Sequence, residues 1–176
     1  TLNFPDFRAG EQTFQLLAQV AGRAGRGDQP GKVILQTFNP DHFSIQAARE
    51  QDFIAFFKRE IGFRQALGYP PLTRMVALRI SGKDSQNTAG QAKQLGERCR
   101  ELLAPVSPFD GKVDVMGPIE APIARIAGHY RWQVIVKGTD AASLHRFIRE
   151  LMNGYPGSAT GRTVRVAVDV DPFFLM

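Results

Sequence analysis

Residues 162–171, Arg-Thr-Val-Arg-Val-Ala-Val-Asp-Val-Asp, place a valine at every second position from Val164 to Val170, with Arg165, Ala167 and Asp169 between them. A period of two fits a strand with one face on a core and the other turned away from it. Three more segments carry the same signal. Thr73–Ser81 places Val76, Leu78 and Ile80 on one face, Lys112–Met116 places Val113 and Val115 there, and Tyr130–Lys137 places Trp132, Val134 and Val136 there. Gly117-Pro118 interrupts the second of these, and Ile119–Ile126 reads as extended. Two segments of helical period lie between the strands. One is capped by Asp84 or Ser85 and runs to Leu103, with Ala92, Leu95, Cys99, Leu102 and Leu103 inward. The other is capped by Asp140, carries Leu144, Phe147, Ile148 and Leu151, and closes at Gly154. The order β-α-β-β-α-β predicts an α+β, ferredoxin-like sandwich over residues 72–176.

The first 71 residues read differently. Glu11–Ala24 has the period of a helix, with Phe14, Leu17, Ala18 and Ala21 on one face, and Gly25, Gly27 and Pro30-Gly31 break it. Lys32–Phe38 reads as a short buried strand stopped by Asn39-Pro40. Residues 1–46 therefore look like the end of an α/β unit. One helix and one strand cannot cover both faces of a sheet, so partial exposure is expected. Residues 47–71 read as a connecting helix and linker, with Phe53, Phe56, Phe57 and Ile61 at helical spacing. Gly68-Tyr69-Pro70-Pro71 ends it, because a proline excludes helical backbone at the residue before it.

Charge is uneven along the chain. The net charge is +5. Residues 1–70 hold eight basic and seven acidic residues, whereas residues 71–176 hold fourteen and ten. The surplus in the second part suits a polyanion or an acidic partner, and also solubility alone. The single Cys99 excludes an internal disulfide and a cysteine-rich zinc site. His42, His129 and His145 are scattered with no carboxylate at ligand spacing, so no metal site is expected. Asp169 and Asp171 share a strand face and are read as partners for nearby arginines rather than as an acid/base pair. No apolar run approaches the ~18 residues of a membrane span. The start lacks both a signal-peptide pattern and an initiator Met, so a cytoplasmic location and a truncated chain are expected.

In a sandwich with both helices on one sheet face, the other face is free. Alternation assigns to it Met75, Ala77 and Arg79, then Arg131, Gln133, Ile135 and Lys137, then Arg165, Ala167 and Asp169. Arg79 and Arg131 fall on central neighbouring strands, where like charges are unfavourable unless an anion or acidic group answers them. A phosphate backbone, an acidic peptide, or an acid elsewhere in the protein would each serve. The stretch Pro122–Trp132 adds Arg125 and Tyr130, a mixture able to contact phosphate and to stack on a base.

The run Gln19-Val20-Ala21-Gly22-Arg23-Ala24-Gly25-Arg26 puts two arginines a turn apart on one helix face. Small residues between them allow close approach of another surface. Planar, permanently charged guanidinium groups so placed can clamp a transferring phosphoryl group. The octet resembles motif VI of the superfamily 2 helicases, Q-x-x-G-R-x-G-R. The chain carries no G-x-x-x-x-G-K-[ST] phosphate loop and no Asp-Glu pair for Mg²⁺, so it is read as the C-terminal piece of a larger motor and expected to be inactive alone.

Further stretches extend the likeness to the whole chain: Pro5-Asp6-Phe7-Arg8-Ala9-Gly10-Glu11, Arg64–Pro71, Gly117-Pro118 with Ala121–Arg125, Tyr130-Arg131-Trp132-Gln133 and Val168–Pro172. Together they resemble the C-terminal part of the bacterial primosomal protein N′ family of replication-restart DNA helicases. The resemblance implies a 3′-to-5′ helicase parent driven by ATP and Mg²⁺. Residues 1–46 would finish its second RecA-like lobe, with Gln19, Gly22, Arg23 and Arg26 facing the nucleotide and the two arginines acting in catalysis. Residues 72–176 would be a ribosomal-protein-like C-terminal domain. Its implied partners are branched or single-stranded DNA, the acidic tail of single-stranded DNA-binding protein and other primosome proteins, with no membrane. Arg79, Arg125, Tyr130, Arg131, Lys137 and Arg165 are the candidate contacts. A module that captures the acidic tail without touching DNA is the alternative. The family's zinc-binding cysteines are absent from this sequence.

Overall fold

The computed structural model describes residues 2, 5–24, 32–153, 155 and 163–175. The chain divides into two compact units, Thr1–Leu67 and Gly68–Met176.

The first unit holds three helices among its described residues: α1 (Ala9–Ala24), α2 (Phe43–Glu50) and α3 (Phe53–Leu67). Of the stripe Phe53, Phe56, Phe57 and Ile61 expected to pack, only Phe56 is buried, and Phe53 and Phe57 are exposed; the core forms where Phe56 meets aromatics of the other two helices. Phe14 stacks on Phe56 with ring centroids 4.2 Å apart, and Phe43 stacks on Phe56 from 5.7 Å. Ala47 and Ala48 complete the cluster. The connecting helix expected over residues 47–68 is two helices. Gln51 takes a left-handed conformation at the end of α2, and the Asp52 carboxylate accepts from the Ala55 N–H at 2.9 Å to start α3. Arg64, nearly buried, donates to Glu11 and to Glu60, each at 2.7 Å. Burial works against its charge, but these bonds outweigh it and raise the guanidinium pKa.

The strand expected at Lys32–Phe38 does not form. Residues 32–37 have no regular structure, and Ile34 and Phe38 are exposed. A lone extended segment has no ladder to satisfy its N–H and C=O groups, and apolar content cannot substitute for one. The glycine and proline break at residues 25–31 lies outside the described residues.

The second unit has strands β1 (Arg74–Gly82), β2 (Val113–Ile126), β3 (His129–Gly138) and β4 (Val164–Val170), with α4 (Ser85–Leu102) after β1 and α5 (Ala141–Met152) after β3. The strands form one antiparallel sheet in the order β2-β3-β1-β4. Both helices are capped as expected. Asp84 accepts from the Asn87 N–H and Asp140 from the Ser143 N–H, each at 2.7 Å. The latter bond also lowers the Asp140 pKa. The helix-side core joins Val76, Leu78, Ile80, Val134 and Val136 to Leu95, Cys99, Leu144, Phe147 and Leu151, with Phe109 edge-on to Phe147. Full burial of each such side chain is worth about 1.5–3 kcal/mol. The closing residue expected of α5, Gly154, lies outside the described residues.

Three features differ from the expectation. First, β2 runs through Gly117-Pro118 as one strand, with register shifts between Met116 and Ile119 and between Glu120 and Arg125. Gly117 has φ +102°, and a Cβ there would lie 2.8 Å from the Gln133 carbonyl oxygen, so a glycine bulge continues the strand instead of ending it. Second, Val168 and Val170 are exposed although they pair with Leu78 and Val76 on the helix side. They sit on an edge strand, where cover by helices runs out.

Third, the face opposite the helices is not open throughout. Met75 and Ala77 are 1% exposed and Ile135 is buried. The segment after β4 turns back at Asp171, whose N–H donates to the Met75 carbonyl at 2.9 Å. It then reaches Arg79, whose Nη2 donates to the Phe174 carbonyl at 2.6 Å. Pro172 and Leu175 are buried. This strap leaves one end of the face accessible.

Candidate anion-binding site

The antiparallel register sets the side chains at that end in two rows. Ser81 of β1 stands between Arg131 of β3 and Arg165 of β4. Two residues back, Arg79 stands between Gln133 and Ala167. With Ala121 and Trp132 these residues line a cleft of about 280 Å³. Three guanidinium groups thus share one concavity. Alternation predicted the face, and the sheet order brings Arg79, Arg131 and Arg165 together on it.

Their charges are not equally answered. Arg79 Nη2 lies 2.9 Å from Asp169 Oδ2 and also holds the Phe174 carbonyl. Arg131 Nη1 donates to the Ile123 carbonyl at 3.4 Å, a neutral partner. Among the described residues neither Arg131 nor Arg165 forms an ion pair, so the cleft carries two cations without a counter-charge. Planar guanidinium groups beside the Ser81 hydroxyl and the Gln133 amide can hold a tetrahedral or planar oxyanion in bidentate fashion.

The remaining candidates lie elsewhere. Arg125 and Tyr130 face each other across the β2–β3 hairpin, with the guanidinium carbon 5.0 Å from the ring centroid. Lys137, at the far end of β3, pairs with Asp114 at 3.3 Å and lies over the Tyr69 ring. It lines a separate cavity of about 260 Å³ with Lys112 and Thr139. Trp132 packs against the helix-side core, as its alternation predicted. Sequence reasoning missed the pair Phe173–Phe174, which has no periodicity to mark it. Its only signal was two adjacent aromatics beyond the final strand.

On α1, Gln19, Gly22 and Arg23 are exposed, with Gln19 and Arg23 one turn apart. Gln19 and Arg23 carry side-chain N–H donors of the kind a phosphate oxygen accepts. A Cβ at Gly22 would meet nothing within 4 Å, so contacts within this chain do not require glycine there. Arg26 lies outside the described residues. Among the described residues no cluster of His, Cys, Asp and Glu could hold a metal, and no helix is long and apolar enough to cross a membrane.

Two helices on one side of an antiparallel sheet and a cleft lined by Arg79, Arg131 and Arg165 on the other define a small α+β module. Residues 65–173 match the family model described as the primosomal protein N C-terminal domain, and the chain belongs to that family. It is 35% identical over 176 residues to the replication restart protein PriA of Bacillus subtilis, covering 100% of this chain and 21% of the relative. The corresponding protein of Synechocystis is 36% identical over 171 residues, covering 97% and 19%. That of Chlamydia muridarum is 34% identical over 171 residues, covering 97% and 22%. The chain thus spans about a fifth of the length of these relatives.

Proposed function

We propose that the chain is the C-terminal part of a cytoplasmic replication-restart DNA helicase and that its arginine cleft binds the phosphate backbone of DNA. The observation that carries this reading is the pair Arg131 and Arg165, two guanidinium groups flanking Ser81 in one cleft without an acidic partner among the described residues. Phosphate contacts supply most of the sequence-independent affinity for nucleic acid. The strand order β2-β3-β1-β4 in a β-α-β-β-α-β chain supports a ferredoxin-like domain over residues 72–176. Residues 1–46 would finish a helicase lobe, joined through residues 47–71. Gln19, Gly22, Arg23 and Arg26 would then face ATP held largely by the rest of the protein. ATP with Mg²⁺ would supply the phosphoryl transfer that drives unwinding. The exposed side chains of Gln19 and Arg23 would orient its phosphate oxygens.

Titration of the chain with a fluorescent single-stranded oligonucleotide at several salt concentrations tests the cleft. Affinity should fall steeply, with log K linear in log salt. A salt-independent affinity no greater than for a neutral polymer would rule out phosphate contact. A cleft of this chemistry accepts carboxylates too. An acidic peptide, such as the tail of single-stranded DNA-binding protein, that binds while DNA does not would replace the reading with its alternative.

A further inference from the structure

We infer that Phe173 and Phe174 form a stacking platform for an unpaired base whose phosphate lies in the arginine cleft. This rests on the phosphate-binding reading above and adds what the cleft alone cannot provide, recognition of single strands. Phe173 is 66% exposed and Phe174 42% exposed, although phenylalanine is ordinarily buried. The rings meet edge to face, with centroids 4.6 Å apart and an interplanar angle of 88°. Their backbone is fixed on both sides, since Pro172 and Leu175 are buried and the Phe174 carbonyl is held by Arg79. That bond ties the aromatic pair directly to one of the three arginines lining the cleft.

The combination selects a ligand chemistry. An anchored aromatic pair presents its rings at little conformational cost, since the backbone order is already in place. The cleft to which Arg79 links the pair also carries the cations of Arg131 and Arg165, so a ligand that reaches both needs negative charge as well as a flat apolar surface. A nucleotide of a single strand offers both, and every base has a π-face, so such a platform tolerates sequence. In a duplex the base faces are already stacked and unavailable. Met75, Ala77 and Ile135 are buried, so a strand lying along the whole sheet face is excluded and the contact is confined to its Arg79 end.

The test compares two strands of equal length and charge on the 176-residue chain, a labelled oligothymidine and an abasic sugar-phosphate oligomer, by fluorescence anisotropy. The base-bearing strand should bind about tenfold tighter or more. Replacing both rings, Phe173→Leu with Phe174→Leu, keeps apolar volume and should erase that difference while leaving affinity for the abasic strand unchanged. Equal affinities of the wild-type chain for the two strands would overturn the platform, and this arm needs no variant to fold. A double variant that still prefers the base-bearing strand tenfold would overturn it as well. If the abasic strand binds and Arg131→Glu weakens it while bases add nothing, the platform fails and the cleft stands. If neither strand binds, both fall.

Discussion

Arg131 and Arg165 lie opposite the same residue, Ser81, from the two strands that flank β1. Two strand spacings put their backbones about 10 Å apart. At that distance two cations repel by about 0.4 kcal/mol in water-like surroundings. Among the described residues no acidic partner offsets this repulsion.

Removing one of these charges should therefore separate stability from binding. Arg165→Ala is expected to leave thermal stability unchanged or to raise it by a few tenths, about 0.3 kcal/mol. The same change should weaken single-stranded DNA binding and lower the salt slope by about 0.7 for the lost phosphate contact. Arg131→Ala should act alike, less any loss of its bond to the Ile123 carbonyl. Melting curves and salt titrations of the two variants check this. A variant that melts much lower with its slope intact would mark the arginine as structural.

Much of the second unit was legible because its signals are local. Val76, Leu78 and Ile80 alternate within one strand, and Asp84 and Asp140 cap through bonds spanning three residues. The cleft was half legible. Alternation places Arg79, Arg131 and Arg165 on one face, but only the sheet order makes them neighbours. What the sequence concealed depends on partners distant along the chain. Lys32–Phe38 has the composition of a strand and no strand beside it among the described residues. Val168 and Val170 have the pattern of core residues on an edge that the helices leave bare. The strap from Pro172 to Leu175 has no period at all, so neither its return to Arg79 nor the Phe173–Phe174 pair could be read from residue order.

Two glycines six residues apart on α4 should respond to alanine in opposite ways. Gly90 is exposed, and a Cβ there would meet nothing within 4 Å. Gly90→Ala should stabilise by roughly 0.5–1 kcal/mol through helix propensity. At Gly96 the same atom would overlap Pro118 Cδ in the β2 bulge. Gly96→Ala should destabilise by about 1–3 kcal/mol, because a strand backbone cannot yield as a side-chain end can. Denaturant unfolding of both variants measures the two signs. Stabilisation by Gly96→Ala would show that the helix and bulge are not in close contact.

Cys99 should be inert in the folded chain. It is fully buried in the helix-side core, and burial pushes its thiol pKa up to about 12, against a small opposing effect of Arg100. At pH 8, on the order of one thiol in ten thousand is ionised, and the thiolate is the reactive form. Labelling by a thiol reagent should follow the unfolding rate and accelerate with denaturant. Cys99→Ser should cost about 1–3 kcal/mol by placing a hydroxyl in an apolar site. Fast labelling of the native chain at a rate insensitive to denaturant would contradict this burial.

The start of α2 should weaken in mild acid. His42 caps the helix by accepting the Ser44 N–H on Nδ1 at 3.2 Å, which requires a neutral ring. Burial lowers the His42 pKa, and Glu60 pulls it partly back. The folded value therefore lies below the 6.5 of the free side chain. The unfolded chain then binds more protons, so stability rises with pH. The cap's contribution is complete above pH 6.5 and is lost as pH falls through the folded value. His42 is only half-buried, so screening limits the loss to about 0.5 kcal/mol. His42→Asn keeps a capping oxygen that does not titrate. Melting of wild type and variant should run in parallel above pH 7 and diverge below 6.5, with the wild type falling faster. Parallel curves down to pH 5 would show that the imidazole does not cap α2 in solution.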